Sequence, residues 1–173
     1  MANSAIPAAP KFGGLVIAKV PGMGGSNGNV FFGEWAPRAG NPPQNSTDLN
    51  MADGKRTVWY VGDNPTQNMP VLSGATYNVL GVNKHTPGQN DFYTGVLTAN
   101  YGTGSGSLTG TLSRPGDNIN FAGTNIRSNG TFDNGKANEH ISGRFYGSGA
   151  EALAGIVNRA GVDKDVAFGG RKQ

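Results

Sequence analysis

Hydrophobic and polar positions alternate with a period of two through much of the second half of the chain. The clearest run is SGSLTGTLS, residues 105–113. Gly106, Leu108, Gly110 and Leu112 fall on one side, and Ser105, Ser107, Thr109, Thr111 and Ser113 on the other. Successive side chains of a strand point to opposite faces, so this run predicts a strand with an apolar inner face and a hydroxyl-rich outer one. Ile119, Phe121 and Gly123 repeat the pattern, as do Ile141, Gly143, Phe145 and Gly147. From Ser73 onward such runs follow one another with short turns, which predicts a meander of antiparallel strands. About eight strands in series have a natural solution in closure, since a closed sheet has no exposed edge. Glycine alternating with leucine on the inner face suits a narrow barrel, where small residues leave room for large neighbours.

The first half is less regular. Lys11–Val20, Val30–Ala36 and Arg56–Asp63 are strand candidates. A glycine-rich loop, PGMGGSNGN, separates the first two. Pro37–Lys55 is long, polar and rich in proline and asparagine, as functional or disordered loops are. The predicted class is all-β: a flexible tail over residues 1–10, a small N-terminal β handle over 11–70 and an eight-stranded antiparallel up-and-down barrel over 71–173. One stretch resists the pattern. GAEALAGIV has helix-forming composition, yet glycines flank it and the strand-like DVAFGG follows.

Composition narrows the function. Glycine supplies 29 of 173 residues and lies between runs of β-forming residues, which favours a turn-rich β fold over disorder. The formal charge is +3, and no basic run is longer than two residues, so the clustered patch that nucleic acid requires is missing. There is no cysteine, which excludes disulfides, thiolate metal sites and cysteine nucleophiles. No stretch approaches the length of a membrane helix. The opening MANSAIPAAPKFGG lacks an apolar signal core and reads as the start of a mature exported protein. No GxSxG elbow or suggestively spaced carboxylate pair is present, and the glycine runs GMGGSNG and GTGSGSLTG lack phosphate-loop spacing. Enzymatic activity is therefore not expected.

The C-terminal residues carry a family resemblance. SGRFYGSGAEALAGIV followed by VAFGGRKQ is similar to the closing signature of the barrel found in transferrin-binding protein B lobes and factor H-binding protein. The matching positions are Gly143, Phe145, Tyr146, Gly147, Ala150 and Gly155, then Ala167, Phe168, Gly169, Arg171, Lys172 and Gln173. Glu151 stands one place earlier than the acidic residue of that signature, where this chain has Ala152. The resemblance implies that the last strand closes the barrel and that GSGAEAL is a short connection between strands. GKRTVWYVGDNPTQNMP with SGATYNVLGVN resembles, more loosely and over roughly Phe12 to Asn83, the hemophilins. These are secreted haem-binding members of the same barrel group, exported by the surface lipoprotein assembly modulator of Gram-negative bacteria.

That resemblance implies a hemophore, secreted or at the bacterial cell surface. It would bind haem non-covalently, take it from host haemoproteins and pass it to an outer-membrane TonB-dependent receptor. His85, in the loop NKHTPGQND, is the first candidate for the iron ligand, since neutral imidazole is a common haem ligand. His140 is the second. Its neighbours Ile141 and Phe145 point inward, so it points outward on the barrel wall. Phe31, Trp35, Val58 and Tyr60 are candidates to hold the porphyrin, with Phe31 and Trp35 on one strand face and Val58 and Tyr60 on another. Arg38, Lys55, Arg56 and Lys84 are candidate partners of the propionates. Burying roughly 400 Å² of porphyrin at about 25 cal/mol per Å² gives on the order of 10 kcal/mol before the cost of association. One imidazole is then enough for tight capture. The alternatives are a host-protein-binding barrel of the transferrin- or factor H-binding type without cofactor, and a structural colonisation lipoprotein.

Overall fold

The inner-face glycines and the turn glycines together build a closed barrel. The structure is a computed structural model that describes residues 14–38, 49–86 and 89–173. The tail Met1–Pro10, most of the Pro37–Lys55 loop, and Pro87 and Gly88 lie outside these. Three strands come first: β1 (Gly14–Lys19), β2 (Val30–Ala36) and β3 (Thr57–Gly62). They form an antiparallel sheet in the order β1-β2-β3, with Phe32 opposite both Ala18 and Tyr60, and Glu34 opposite Val58.

Nine further strands follow. They are β4 (Leu72–Val82), β5 (Tyr93–Gly102), β6 (Ser105–Arg114), β7 (Asp117–Asn120), β8 (Thr124–Arg127), β9 (Thr131–Asp133), β10 (His140–Tyr146), β11 (Ala152–Asn158) and β12 (Val166–Lys172). β7 and β8 both pair with β6 and act as one interrupted strand, so the wall has eight positions. It closes because β12 pairs with β4, the first wall strand, while β5 pairs with β6. The expected all-β fold, a handle sheet plus an eight-stranded antiparallel barrel, is what forms.

The terminal RKQ latches this closure. Lys172 Nζ donates to Gly149 O at 2.5 Å, and the Gln173 side chain exchanges hydrogen bonds with Thr76 and Asn78 on β4. Lys172 is therefore not a freely solvated terminal charge, since its strand position brings its ammonium to a turn carbonyl.

Inside, the barrel is filled by aromatic and branched side chains, among them Tyr77, Tyr93, Phe121, Phe132, Phe145 and Phe168. Gly143 on β10 faces Gly155 on β11, and both are required by the rings above them. A Cβ at Gly143 would lie 2.5 Å from Phe132 Cζ, and one at Gly155 2.6 Å from Phe168 Cζ. Phe121 meets Phe168 edge-to-face at 5.2 Å, a favoured aromatic geometry.

The helix-prone stretch resolves into a turn, Gly147–Ala150, and then β11. Glu151 folds back over this turn and accepts the Gly149 N–H. Its small residues have a purpose. The handle lies on the outer side of β11 and β12, where Val20, Val30, Phe32 and Val58 pack on Ala152, Ala154 and Ala167. These two strands are buried on both faces and so lose the alternation of a half-exposed strand. At Gly169 the approach is close: a Cβ there would sit 2.5 Å from Phe32 Cδ1.

Candidate functional site

Glu34 is a fully buried carboxylate in the middle of β2, on the face toward the barrel. Its partner is Arg56, just before β3, also with no exposed side chain. Arg56 donates Nε to Glu34 Oε2 at 3.0 Å and forms a second, shorter contact through a terminal nitrogen. It also donates to the carbonyls of Val162 at 2.6 Å and Asp165 at 2.9 Å, in the β11–β12 loop. Glu34 then accepts the backbone N–H groups of Lys84 at 2.9 Å and His85 at 2.7 Å. One buried ion pair thus binds the handle to two loops at one end of the barrel. Such a pair is expensive to desolvate and is tolerable here because four Arg56 N–H groups and both Glu34 oxygens have partners.

The β4–β5 loop held in this way presents His85. Its side chain is 12% exposed. Nδ1 forms a short contact with Asp91 Oδ1, and Asp91 Oδ2 accepts the Thr86 N–H at 2.8 Å. Burial alone would raise the Asp91 carboxyl, but the Thr86 N–H and the His85 ring outweigh it and hold the pKa below the usual aspartate value. The His85 ring stacks on Phe92, centroids 4.3 Å apart and planes 19° from parallel. A carboxylate on Nδ1 fixes the tautomer that leaves Nε2 with its lone pair, the state a metal requires. Among the described residues Nε2 has no hydrogen-bond partner. His85 could therefore hold a metal ion through its Nε2 as a single nitrogen donor. No cluster of three or more metal-ligating side chains occurs among the described residues.

The other candidates are dispersed. Phe31 and Trp35 are half-buried on the outward face of the handle sheet, where Lys19 Nζ lies 5.8 Å from the Phe31 centroid. Val58 and Tyr60 are on the opposite face, packed toward the barrel. The two sets share no pocket. Arg38 forms a backbone bridge to Leu49. Lys84 Nζ is 3.4 Å from Asp163, and both are well exposed, so this ammonium can exchange partners. Arg56 is removed as a propionate partner, since Glu34 and two carbonyls occupy it. His140 begins β10 opposite Asn158 of β11. It is at the same barrel end as His85, but β11 and β12 intervene, which is roughly 14 Å along the wall at about 4.8 Å per strand.

Phe92, Asp91 and Glu34 were missed from sequence. Asp91 and Phe92 lie six and seven residues after His85 in the same loop, but nothing in the sequence says that this loop folds back to bring them against its ring. Glu34 showed only as a charge on the buried side of an alternating strand.

The same barrel end holds a polar cleft of about 700 Å³. Arg159 donates to Asp117 at 2.6 Å and to Glu139 at 3.0 Å. Burial alone would lower the Arg159 pKa, but these two carboxylates raise it, so the guanidinium stays charged. Arg114 lies 4.3 Å over the Tyr93 ring and donates to Asn83. Burial and Asp117 push the Tyr93 phenol up to about 12. Every charge named here already has a partner.

The model of the HphA C-terminal domain matches residues 67–172. Among solved structures, a mutant of the vaccine antigen transferrin binding protein B from Actinobacillus pleuropneumoniae H49 superposes with a TM-score of 0.58 at 16% identity, over 94% of this chain and 81% of that one. A surface lipoprotein matches with a TM-score of 0.52 at 18% identity, over the same 94% and 81%. Against the intact two-lobed transferrin binding protein B the TM-score is 0.51 at 16% identity, and the match spans 39% of that chain. At such low identity these likenesses establish the fold. The family model covers more than half of the sequence, including all nine barrel strands, and the chain belongs to the HphA C-terminal domain family.

Proposed function

We propose that this protein is a secreted or cell-surface haem-binding protein that captures haem non-covalently, with His85 as the iron ligand, and hands it to an outer-membrane TonB-dependent receptor. The observation that carries the reading is the setting of His85: Nδ1 on Asp91, the ring stacked on Phe92, and the backbone N–H on buried Glu34. Family membership and the transferrin-binding-protein-like barrel support it. Export by the surface lipoprotein assembly modulator and uptake from host haemoproteins belong to the same proposal, as does the division into a ligand-binding handle (11–70) and a barrel (71–173). The role is binding, with no covalent chemistry.

When bound, haem supplies a Lewis-acidic iron and a flat apolar macrocycle. The chain's own residues do the rest. Asp91 holds the Nδ1 proton and makes Nε2 a better donor. Phe92 fixes the ring plane, and Glu34 stops the loop from swinging. Lys84, adjacent to His85 and only loosely paired with Asp163, offers an ammonium to a propionate. Phe31 and Trp35 are on the outward face of the handle, where a porphyrin can reach them without prising the handle from the barrel.

Titration of the purified chain with hemin tests this. A sharp Soret band is expected in the wild type. It should be lost or shifted in His85→Ala and kept in His140→Ala. No band in the wild type ends the haem reading, and an unchanged band in His85→Ala ends the ligand assignment. One observation favours a second reading, a host-protein-binding barrel without cofactor. The outward handle face exposes Ile17 and Val61, at 56% and 57%, beside Phe31. Binding to immobilised transferrin or factor H with no Soret band would support that reading instead.

A further inference from the structure

A cation without an anion lies at the seam between handle and barrel. Arg144 is on β10, between Thr131 of β9 and Ala154 of β11. Phe145 points into the barrel core, so Arg144 points to the outer side. Its guanidinium is only partly exposed, and its Nε is sealed from solvent with no hydrogen-bond partner. The ion pairs among the described residues use Arg56, Lys84, His85, Arg127 and Arg159, and none uses Arg144. An ordinary surface arginine has all its N–H groups in water or on a carboxylate. A buried, unpaired donor of this kind calls for a partner.

Two phenols share the seam. Tyr146 is two residues further along the same face of β10, roughly 7 Å away along the strand. Its ring packs on Gly62 of the handle, where a Cβ would be 2.6 Å from Cε1. Tyr60 precedes Gly62 by two residues, on the face of β3 toward the barrel. Neither hydroxyl has a hydrogen bond among the described residues, and neither is sealed from solvent. Burial raises the Tyr60 pKa above its ordinary value and pushes Tyr146 up to about 12. The Arg144 charge offsets part of this in each, which places the guanidinium within electrostatic reach of both rings. The phenols are therefore neutral O–H donors at physiological pH. One cationic donor and two neutral hydroxyls therefore share this seam, with no carboxylate paired to Arg144 among the described residues.

We infer that Arg144, Tyr60 and Tyr146 form a binding site for a small oxyanion, a carboxylate or phosphate group, in the seam between β3 and β10. A planar guanidinium binds two oxygens of such a group at once, and the phenols add donors from both sides. Bound there, the anion bridges a handle residue and two barrel residues, so it stabilises the docked handle. The site is separate from His85 and does not depend on haem binding.

Thermal unfolding of the full chain tests the inference, at constant ionic strength, with chloride replaced by inorganic phosphate in one arm and by acetate in the other. An anion that binds only the folded chain at ten times its Kd lowers the apparent unfolding constant about elevenfold. Phosphate also stabilises proteins generally, so the quantity read is the difference between the wild type and Arg144→Gln. The expected result is a saturating rise in wild-type Tm, absent in Arg144→Gln and reduced in Tyr146→Phe. A response to acetate alone identifies a carboxylate site, to phosphate alone a phosphate site, and to both a general oxyanion site. Chemical-shift titration of the Arg144 Nε–H and Gly62 amide signals in the wild type decides the matter even if the variants fold poorly. Equal increments in wild type and Arg144→Gln, or no shift at Arg144 Nε–H in either anion, would overturn it.

Discussion

Replacing Arg56 with Met should destabilise the protein far more than the loss of one surface charge. The side chain is fully buried and makes four contacts: two to Glu34, one to Val162 O and one to Asp165 O. Met fills much of the volume but donates nothing. Glu34 is then an uncompensated buried carboxylate that still accepts the Lys84 and His85 N–H groups. Breaking a buried pair from one side costs about 3–5 kcal/mol. A domain of this size has about 5–15 kcal/mol in total, so the loss is a large and measurable fraction of it. Urea unfolding followed by tryptophan fluorescence gives the value by linear extrapolation. Glu34→Gln paired with Arg56→Met removes both charges, and the double variant should recover at least about 1 kcal/mol of the single-variant loss. Amide exchange at Lys84 and His85 should accelerate in Arg56→Met, because the carboxylate that anchors them is no longer held. A loss below about 1 kcal/mol for Arg56→Met, or a double variant less stable than both singles by their sum, would refute the view that this pair organises the loop.

Two further outcomes follow from the geometry. Gly169→Val places side-chain atoms where Phe32 lies. It should detach the handle from β12 while the barrel keeps its core, seen as lost exchange protection in β2 and β3 with protection retained in β5 and β6. Asp117 concerns pH. Burial alone would raise its pKa, but Arg159 and the Tyr93 hydroxyl lower it below the ordinary aspartate value. Its native pKa is thus lower than its unfolded one. Its contribution is full above about pH 4 and is lost as pH falls through the lower native value. The stability gap between wild type and Asp117→Asn should therefore shrink on acidification below about pH 4. A gap that is constant or widens there contradicts the assignment.

The barrel was legible because its cause is local. Leu108 and Leu112 alternate with hydroxyls, and Gly143, Phe145 and Gly147 share one face, so each strand announces which side is apolar. Turn glycines such as Gly104, Gly116 and Gly130, all at positive φ, mark where each strand ends. The His85 setting was half legible. The histidine was singled out, while Asp91 and Phe92, six and seven residues on, were passed over because sequence alone does not say that a loop folds back on itself.

The sequence by itself determined an all-β chain and a meander of strands with a natural solution in closure, because side-chain alternation and turn chemistry are carried by neighbouring residues; that the last strand meets the first was implied by the family resemblance of the C-terminal residues. Only the tertiary structure decided which side of the handle faces the barrel, that Ala152, Ala154 and Gly169 are small so that Phe32 can approach, and that Glu34 and Arg56 meet across a long loop. Those outcomes depend on contacts between distant segments, where burial on a second face erases the alternation that a single strand would show.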